Sequence, residues 1–140
     1  MAEQRTTKST ANIYVELQML LKQVYTALYG MAKKDRVVLG DKVFDAALNS
    51  LSYYRIAYKF MDLRDEYKKK FVLEYSKLKE LIRMAAGLKI IKPESHVNLF
   101  QYIARIDECY PRWSAATRNK KRIMQACGNS NDDSASSKID

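Results

Sequence analysis

The chain has 140 residues, 47% of them hydrophobic, with 25 lysines and arginines against 16 aspartates and glutamates, a net charge of +9. That apolar share excludes a wholly disordered chain, and the length suits one domain burying about two-thirds of its unfolded surface without staples. Cys109 and Cys127 are too few for a disulfide framework, no apolar run approaches the ~20 residues that span a bilayer, and the opening MAEQRTTKST lacks an apolar signal core. We therefore expect a cytoplasmic protein that does not enter membranes, whose positive excess meets an anionic partner, most often nucleic acid.

Ile13, Leu17, Leu20, Val24, Leu28 and Met31 recur every three or four residues and predict a first helix, capped by Ser9 or Thr10 and ending near Gly30. Gly40 reads as a stop, and Asp41 as the cap of a second helix with the stripe Phe44, Ala47, Leu48, Leu51, Tyr54, Tyr58 and Met61. The polar string Asp62, Arg64, Asp65 and Glu66 then interrupts the pattern without glycine or proline. A third helix carries Tyr67, Phe71, Tyr75, Leu78, Ile82 and Ala85 up to Gly87, followed by a connector from Leu88 to Lys92. Pro93 suits the first turn of a fourth helix with the stripe Leu99, Ile103, Ile106, Tyr110 and Trp113. Pro111 predicts a kink there, or a break between Asp107 and Tyr110. Residues 1–9 read as a flexible N-terminus, 10–127 as the folded body, and the polar, acidic 128–140 as a disordered tail. With no alternating strand pattern of useful length, the expected fold class is all-α, an antiparallel up-down four-helix bundle.

Charge concentrates on helix three, where residues 67–92 hold eight basic and two acidic groups. On a helical wheel Lys68, Lys69, Lys79 and Arg83 share one flank of the apolar stripe, and Lys70 and Lys77 take the other. A second basic group, Arg118, Lys120, Lys121 and Arg122, ends helix four. These ten residues are the candidate nucleic-acid contacts; the competing reading is a solvated charged face.

Residues for catalysis are sparse. His96 is the one histidine, no serine elbow or phosphate-binding glycine loop occurs, and Cys109, Cys127 and His96 lack zinc-ligand spacing. Asp62, Asp65 and Glu66 resemble a Mg²⁺ cluster for a nuclease, but their place at a helix junction fits capping better. We expect no catalytic residues, metal or cofactor. Most of the ten tyrosines lie on apolar stripes, whereas Tyr25, Tyr29, Tyr53 and Tyr102 lie off them and point to a subunit interface.

The run Leu78-Lys79-Glu80-Leu81-Ile82-Arg83-Met84-Ala85-Ala86-Gly87, with Lys92-Pro93 and the late Trp113, resembles the small four-helix-bundle proteins related to intervening sequences of 23S ribosomal RNA genes. Within that family the chain is similar to the accessory variability determinants of diversity-generating retroelements, over residues 14–122. The resemblance implies a barrel-like homopentamer that is basic outside and has no catalytic activity. It also implies association with a reverse transcriptase and with RNA or DNA in mutagenic retrohoming. The family's paired basic positions match Lys79 and Arg83, and its tryptophan matches Trp113, although Pro111 and Arg112 stand where a glycine commonly precedes it. The alternative is a structural or adaptor protein of the same family without a reverse-transcriptase partner.

Overall fold

Asn12 opens the first helix of the computed structural model, which describes residues 12–128 and the side chains of residues 12–118. The expected flexible N-terminus, the caps Ser9 and Thr10, and the tail beyond Gly128 lie outside the described residues. Four long helices carry the fold, with no strand among the described residues. None of the described helices is long and apolar enough to cross a membrane.

Helix α1 spans Ile13–Tyr29 and is capped at Asn12, whose Oδ1 accepts from the N–H groups of Tyr14 (2.8 Å) and Val15 (3.4 Å). An asparagine oxygen here satisfies two of the donors that a helix start leaves unpaired. The predicted stripe is buried at Ile13, Leu17, Leu20 and Val24, while Met31 joins the core from beyond the helix end.

The expected stop at Gly40 and cap at Asp41 do not occur. A single turn, Lys33–Asp35, runs through a π-helical segment, Arg36–Gly40, directly into α2, Asp41–Lys59. Gly40 has ordinary helical backbone angles, and its role is close approach: a Cβ there would lie 2.7 Å from Leu28 Cδ2 and 3.1 Å from Met31 Sδ. Arg36 adds a clamp, donating through Nη1 to the carbonyls of Leu28 (3.4 Å) and Met31 (3.3 Å) at the end of α1.

The buried face of α2 matches the predicted stripe only in part, at Ala47 and Tyr54. Val43, Ala46, Ala47, Ser50, Tyr54 and Ala57 are buried, Phe44 and Leu51 are half-buried, and Leu48 and Tyr58 are exposed. Small side chains let α2 approach α1 and α3 closely, and the Ser50 hydroxyl is satisfied within the helix by the Ala46 carbonyl at 2.8 Å.

A 3-10 turn, Met61–Leu63, joins α2 to α3, Arg64–Gly87. The break needs neither glycine nor proline because Arg64 is buried and donates to the carbonyls of Ala57 (2.6 Å) and Tyr58 (2.7 Å), closing the last turn of α2. Phe71, Tyr75, Leu78, Ile82 and Ala85 are buried as expected, and the helix ends at Gly87. In the connector Lys89 takes a left-handed backbone angle (φ 60°), and the Lys89 and Ile90 N–H groups return to the carbonyls of Ala86 and Ala85.

Pro93 begins α4, Pro93–Gly128, as expected. Of the kink or break expected at Pro111, the break is absent: the helix continues through this exposed proline. A proline removes one hydrogen bond, and the turns on either side keep theirs. Leu99, Ile103 and Ile106 face the core, with Tyr110 and Trp113 half-buried at its rim. Where α3 and α4 meet, large rings fill the seam, with Phe71 stacked against Tyr75 and Tyr110 at 5.1 Å between centroids in each case.

Candidate nucleic-acid interface

Because α3 turns its apolar stripe inward, its cations emerge along both edges of that stripe. On the α4 side, Lys68 Nζ donates to the Ser114 carbonyl at 3.0 Å and lies 5.2 Å from the centre of the Trp113 ring. Lys79 follows on the same edge, with Nζ 3.3 Å from Asp107 on α4 and 4.9 Å from the centre of the Tyr75 ring. Arg83 lies one turn further, 2.9 Å from Glu80 and over the Phe100 ring at 5.4 Å. Lys69 is exposed and makes no ion pair with a described carboxylate.

The α2 side holds Lys70 and Lys77. Lys70 lies 3.8 Å from Glu66 and 5.1 Å from the centre of the Tyr67 ring, and Lys77 lies 3.4 Å from Glu74. Glu74 also accepts from Asn49 of α2 at 3.5 Å. Arg118 is exposed on α4, whereas the side chains of Lys120, Lys121 and Arg122 lie outside the described ones. The predicted cations thus form two rows on α3, and four of them, Lys70, Lys77, Lys79 and Arg83, each hold a carboxylate. Exposed pairs of this kind contribute about 0–1 kcal/mol, so a phosphate can exchange with the carboxylate at little cost.

Asp107 is the best-anchored of these acids. It accepts from Tyr75 Oη at 2.9 Å as well as from Lys79, and Tyr75 Oη also donates to the Ile103 carbonyl at 3.2 Å. Burial, with the Asp107 charge beside it, pushes the Tyr75 hydroxyl far above its ordinary value of 10. Asp62, Asp65 and Glu66 occupy the 3-10 turn and the first turn of α3, where negative charge complements the helix start. Among the described residues no group of three histidines, cysteines or acids is placed to hold a metal ion. His96 packs edge-on against Phe100 at 4.9 Å.

The structure also assembles a cleft that the charge pattern did not reveal. At the end of the bundle where α1 begins, an open cleft of about 700 Å³ is lined by Asn12, Ile13, Tyr14, Tyr54, Arg55, Tyr58, Lys59, Cys109, Arg112 and Trp113. Arg55 donates to the Tyr14 hydroxyl and lies over that ring at 4.6 Å. Tyr54 stacks with Tyr58 at 6.1 Å and leans on Trp113 at 4.9 Å. Arg55 and Lys59 are one turn apart on α2, a spacing readable in the sequence, but nothing in the sequence joins them to Arg112 on α4.

No protein-family model and no curated protein matches the chain.

Proposed function

We infer that this protein is a non-enzymatic, nucleic-acid-binding four-helix bundle, the accessory subunit of a diversity-generating retroelement that docks on its reverse transcriptase in the cytoplasm. The observation that carries the nucleic-acid reading is the concentration of cations in two rows along α3, joined by Arg118 on α4. These residues would bind RNA or DNA through phosphates without reading sequence, and Lys120, Lys121 and Arg122 would extend the contact. The retroelement role rests on the resemblance at Leu78–Gly87, Lys92-Pro93 and Trp113, positions that serve here as core, helix end, helix start and core rim.

An antiparallel up-down order is supported by the pairing of Tyr25 with Phe44 and of Tyr14 with Arg55, which sets the end of α1 against the start of α2 and its start against the end. Assembly as a homopentameric barrel is supported by Tyr25 and Tyr29, which stack edge-on at 5.7 Å and are 57% and 77% exposed. Five copies would multiply weak phosphate contacts through effective concentration.

The adaptor reading is favoured by the carboxylates already held by Lys70, Lys77, Lys79 and Arg83. It has the basic surface meeting a protein instead. Co-purification of the tagged chain from its host after nuclease treatment separates the two: a retained reverse transcriptase supports the accessory role, and its absence favours the adaptor. Binding itself is tested by Lys79→Glu with Arg83→Glu, which should weaken affinity for nucleic acid and flatten its dependence on salt; unchanged affinity and salt slope in a folded variant would refute these contacts.

A further inference from the structure

The cations of α3 and those of the cleft differ in one respect: most of the former hold carboxylates, whereas Arg55, Lys59 and Arg112 pair with none among the described residues. Arg55 spends its hydrogen bond on a neutral tyrosine hydroxyl, and Arg112 Nη2 lies 4.0 Å from the Cys109 sulfur. Among the described residues no acid lines the cleft. Three guanidinium or ammonium groups left uncompensated around one concavity create a positive potential that an anion relieves. Arginine's planar fork matches phosphate oxygens in particular.

The apolar part of the cleft has a complementary character. Tyr58 is 57% exposed, and Trp113 is half-buried, so ring faces line a space whose volume lies in the range of about 300–1,000 Å³ typical of small-ligand sites. Flat aromatic walls beside a phosphate-binding fork select a ligand that carries both a π-face and a negative charge.

We propose that the cleft binds one nucleotide unit, its base against Tyr58 and Trp113 and its phosphate held by Arg55, Lys59 and Arg112. The polymeric source, a single-stranded nucleic acid, rests on the nucleic-acid reading above; the chemistry of the ligand rests on the cleft alone. A duplex offers no free base face and is a poor ligand, so the cleft selects single strands or ends, which the phosphate-only contacts of α3 do not.

Trp113 is the only tryptophan in the chain and lines the cleft, so its emission reports occupancy. The full-length protein is titrated with a short oligodeoxythymidine, its blunt duplex with oligodeoxyadenosine, thymidine monophosphate, thymidine and inorganic phosphate, exciting where bases do not absorb. Binding of the labelled single strand is followed in parallel by anisotropy. The single strand should quench Trp113 more strongly than the duplex, and thymidine or phosphate alone should have little effect. Arg55→Glu with Lys59→Glu, and separately Arg112→Glu, should weaken the quenching titration by about tenfold or more. Lys33→Glu with Lys34→Glu, exposed at the other end of α1 and identical in charge change to the first variant, should leave it in place.

Quenching by the monophosphate without the single strand assigns the cleft to free nucleotides and overturns the polymeric source. Anisotropy that reports binding while Trp113 emission stays constant, or quenching that survives both cleft variants, overturns the cleft and leaves the nucleic-acid reading standing. No response by either readout overturns both.

Discussion

Arg64 Nε donates to the Ala57 carbonyl at 2.6 Å, and through this contact the first residue of α3 closes the last turn of α2. With its second bond to Tyr58, the guanidinium answers two carbonyls that a helix end leaves without partners, and burial lowers its pKa from the ordinary arginine value. Arg64→Ala should cost about 2–4 kcal/mol, the loss of two charge-assisted bonds with the carbonyls left unmet. Arg64→Lys should recover only part of it, because one ammonium cannot reproduce the fork. Urea unfolding of the three proteins measures the series.

Gly40 lies against Leu28, and the two should be coupled energetically. An added methyl gains about 1 kcal/mol of helix propensity but must displace Leu28 Cδ2 from 2.7 Å, an overpacking that costs about 1–3 kcal/mol. Gly40→Ala should therefore be destabilising or neutral alone, and less unfavourable when introduced into Leu28→Ala, where the closest contact is gone and only Met31 Sδ at 3.1 Å and Arg36 Cγ at 3.3 Å still crowd the methyl. A double-mutant cycle reads the difference; additive effects would contradict the close approach.

Alkali should unfold the protein through three tyrosines. Burial raises Tyr54, Tyr75 and Tyr110 above the ordinary value of 10, with Tyr58 adding to the shift at Tyr54 and Asp107 at Tyr75. In the unfolded chain these hydroxyls ionise near pH 10 while the folded ones stay protonated. Their contribution to stability is thus complete below pH 10 and is lost as pH rises from there toward the folded values. Tyr54 and Tyr75, the most strongly shifted, each cost about 1.4 kcal/mol per pH unit in that window, so the two together give a slope of about 3 kcal/mol per unit, to which Tyr110 adds. Tyr75→Phe should lower the slope by about 1.4 kcal/mol per unit, as measured by urea midpoints between pH 9 and about 12.

The proposed assembly makes Tyr25 and Tyr29 its most exposed apolar anchors on α1. Tyr25→Glu with Tyr29→Glu should keep helical content and reduce the solution mass to the 16.3 kDa of a single chain by light scattering. A variant mass equal to that of the unchanged protein would remove these residues from the interface.

The helices were legible where large apolar residues carry the period. Phe71, Tyr75, Leu78 and Ile82 on α3, and Leu99, Ile103 and Ile106 on α4, are bulky, regularly spaced and buried. On α2 the same reading caught Ala47 and Tyr54 but missed Ala46, Ser50 and Ala57, which contribute little hydrophobic signal, and took in Leu48 and Tyr58, which contribute much and face outward. Gly40 was read as a stop because glycine usually marks an end; here it marks a contact with a side chain twelve residues earlier. Arg64 was legible only as part of a polar string, since a cation at a helix start opposes the dipole and gains its role from the preceding helix. The two rows of cations on α3 follow from the wheel, and Glu66, Glu74 and Glu80 stand three or four residues from their partners on the same helix, whereas Asp107 and the cleft depend on α4 and could not be read from α3.

The alanine-rich face of α2 has a consequence in time as well as space. Alanine loses no rotamer freedom on burial, so this helix gains contact with both neighbours at a low entropic cost. Local opening there must separate α1 and α3 together, which makes it nearly as costly as unfolding the whole domain. Amide protons along Ala46–Ala57 should be the last to exchange with solvent, and that segment serves as the slow clock of the molecule.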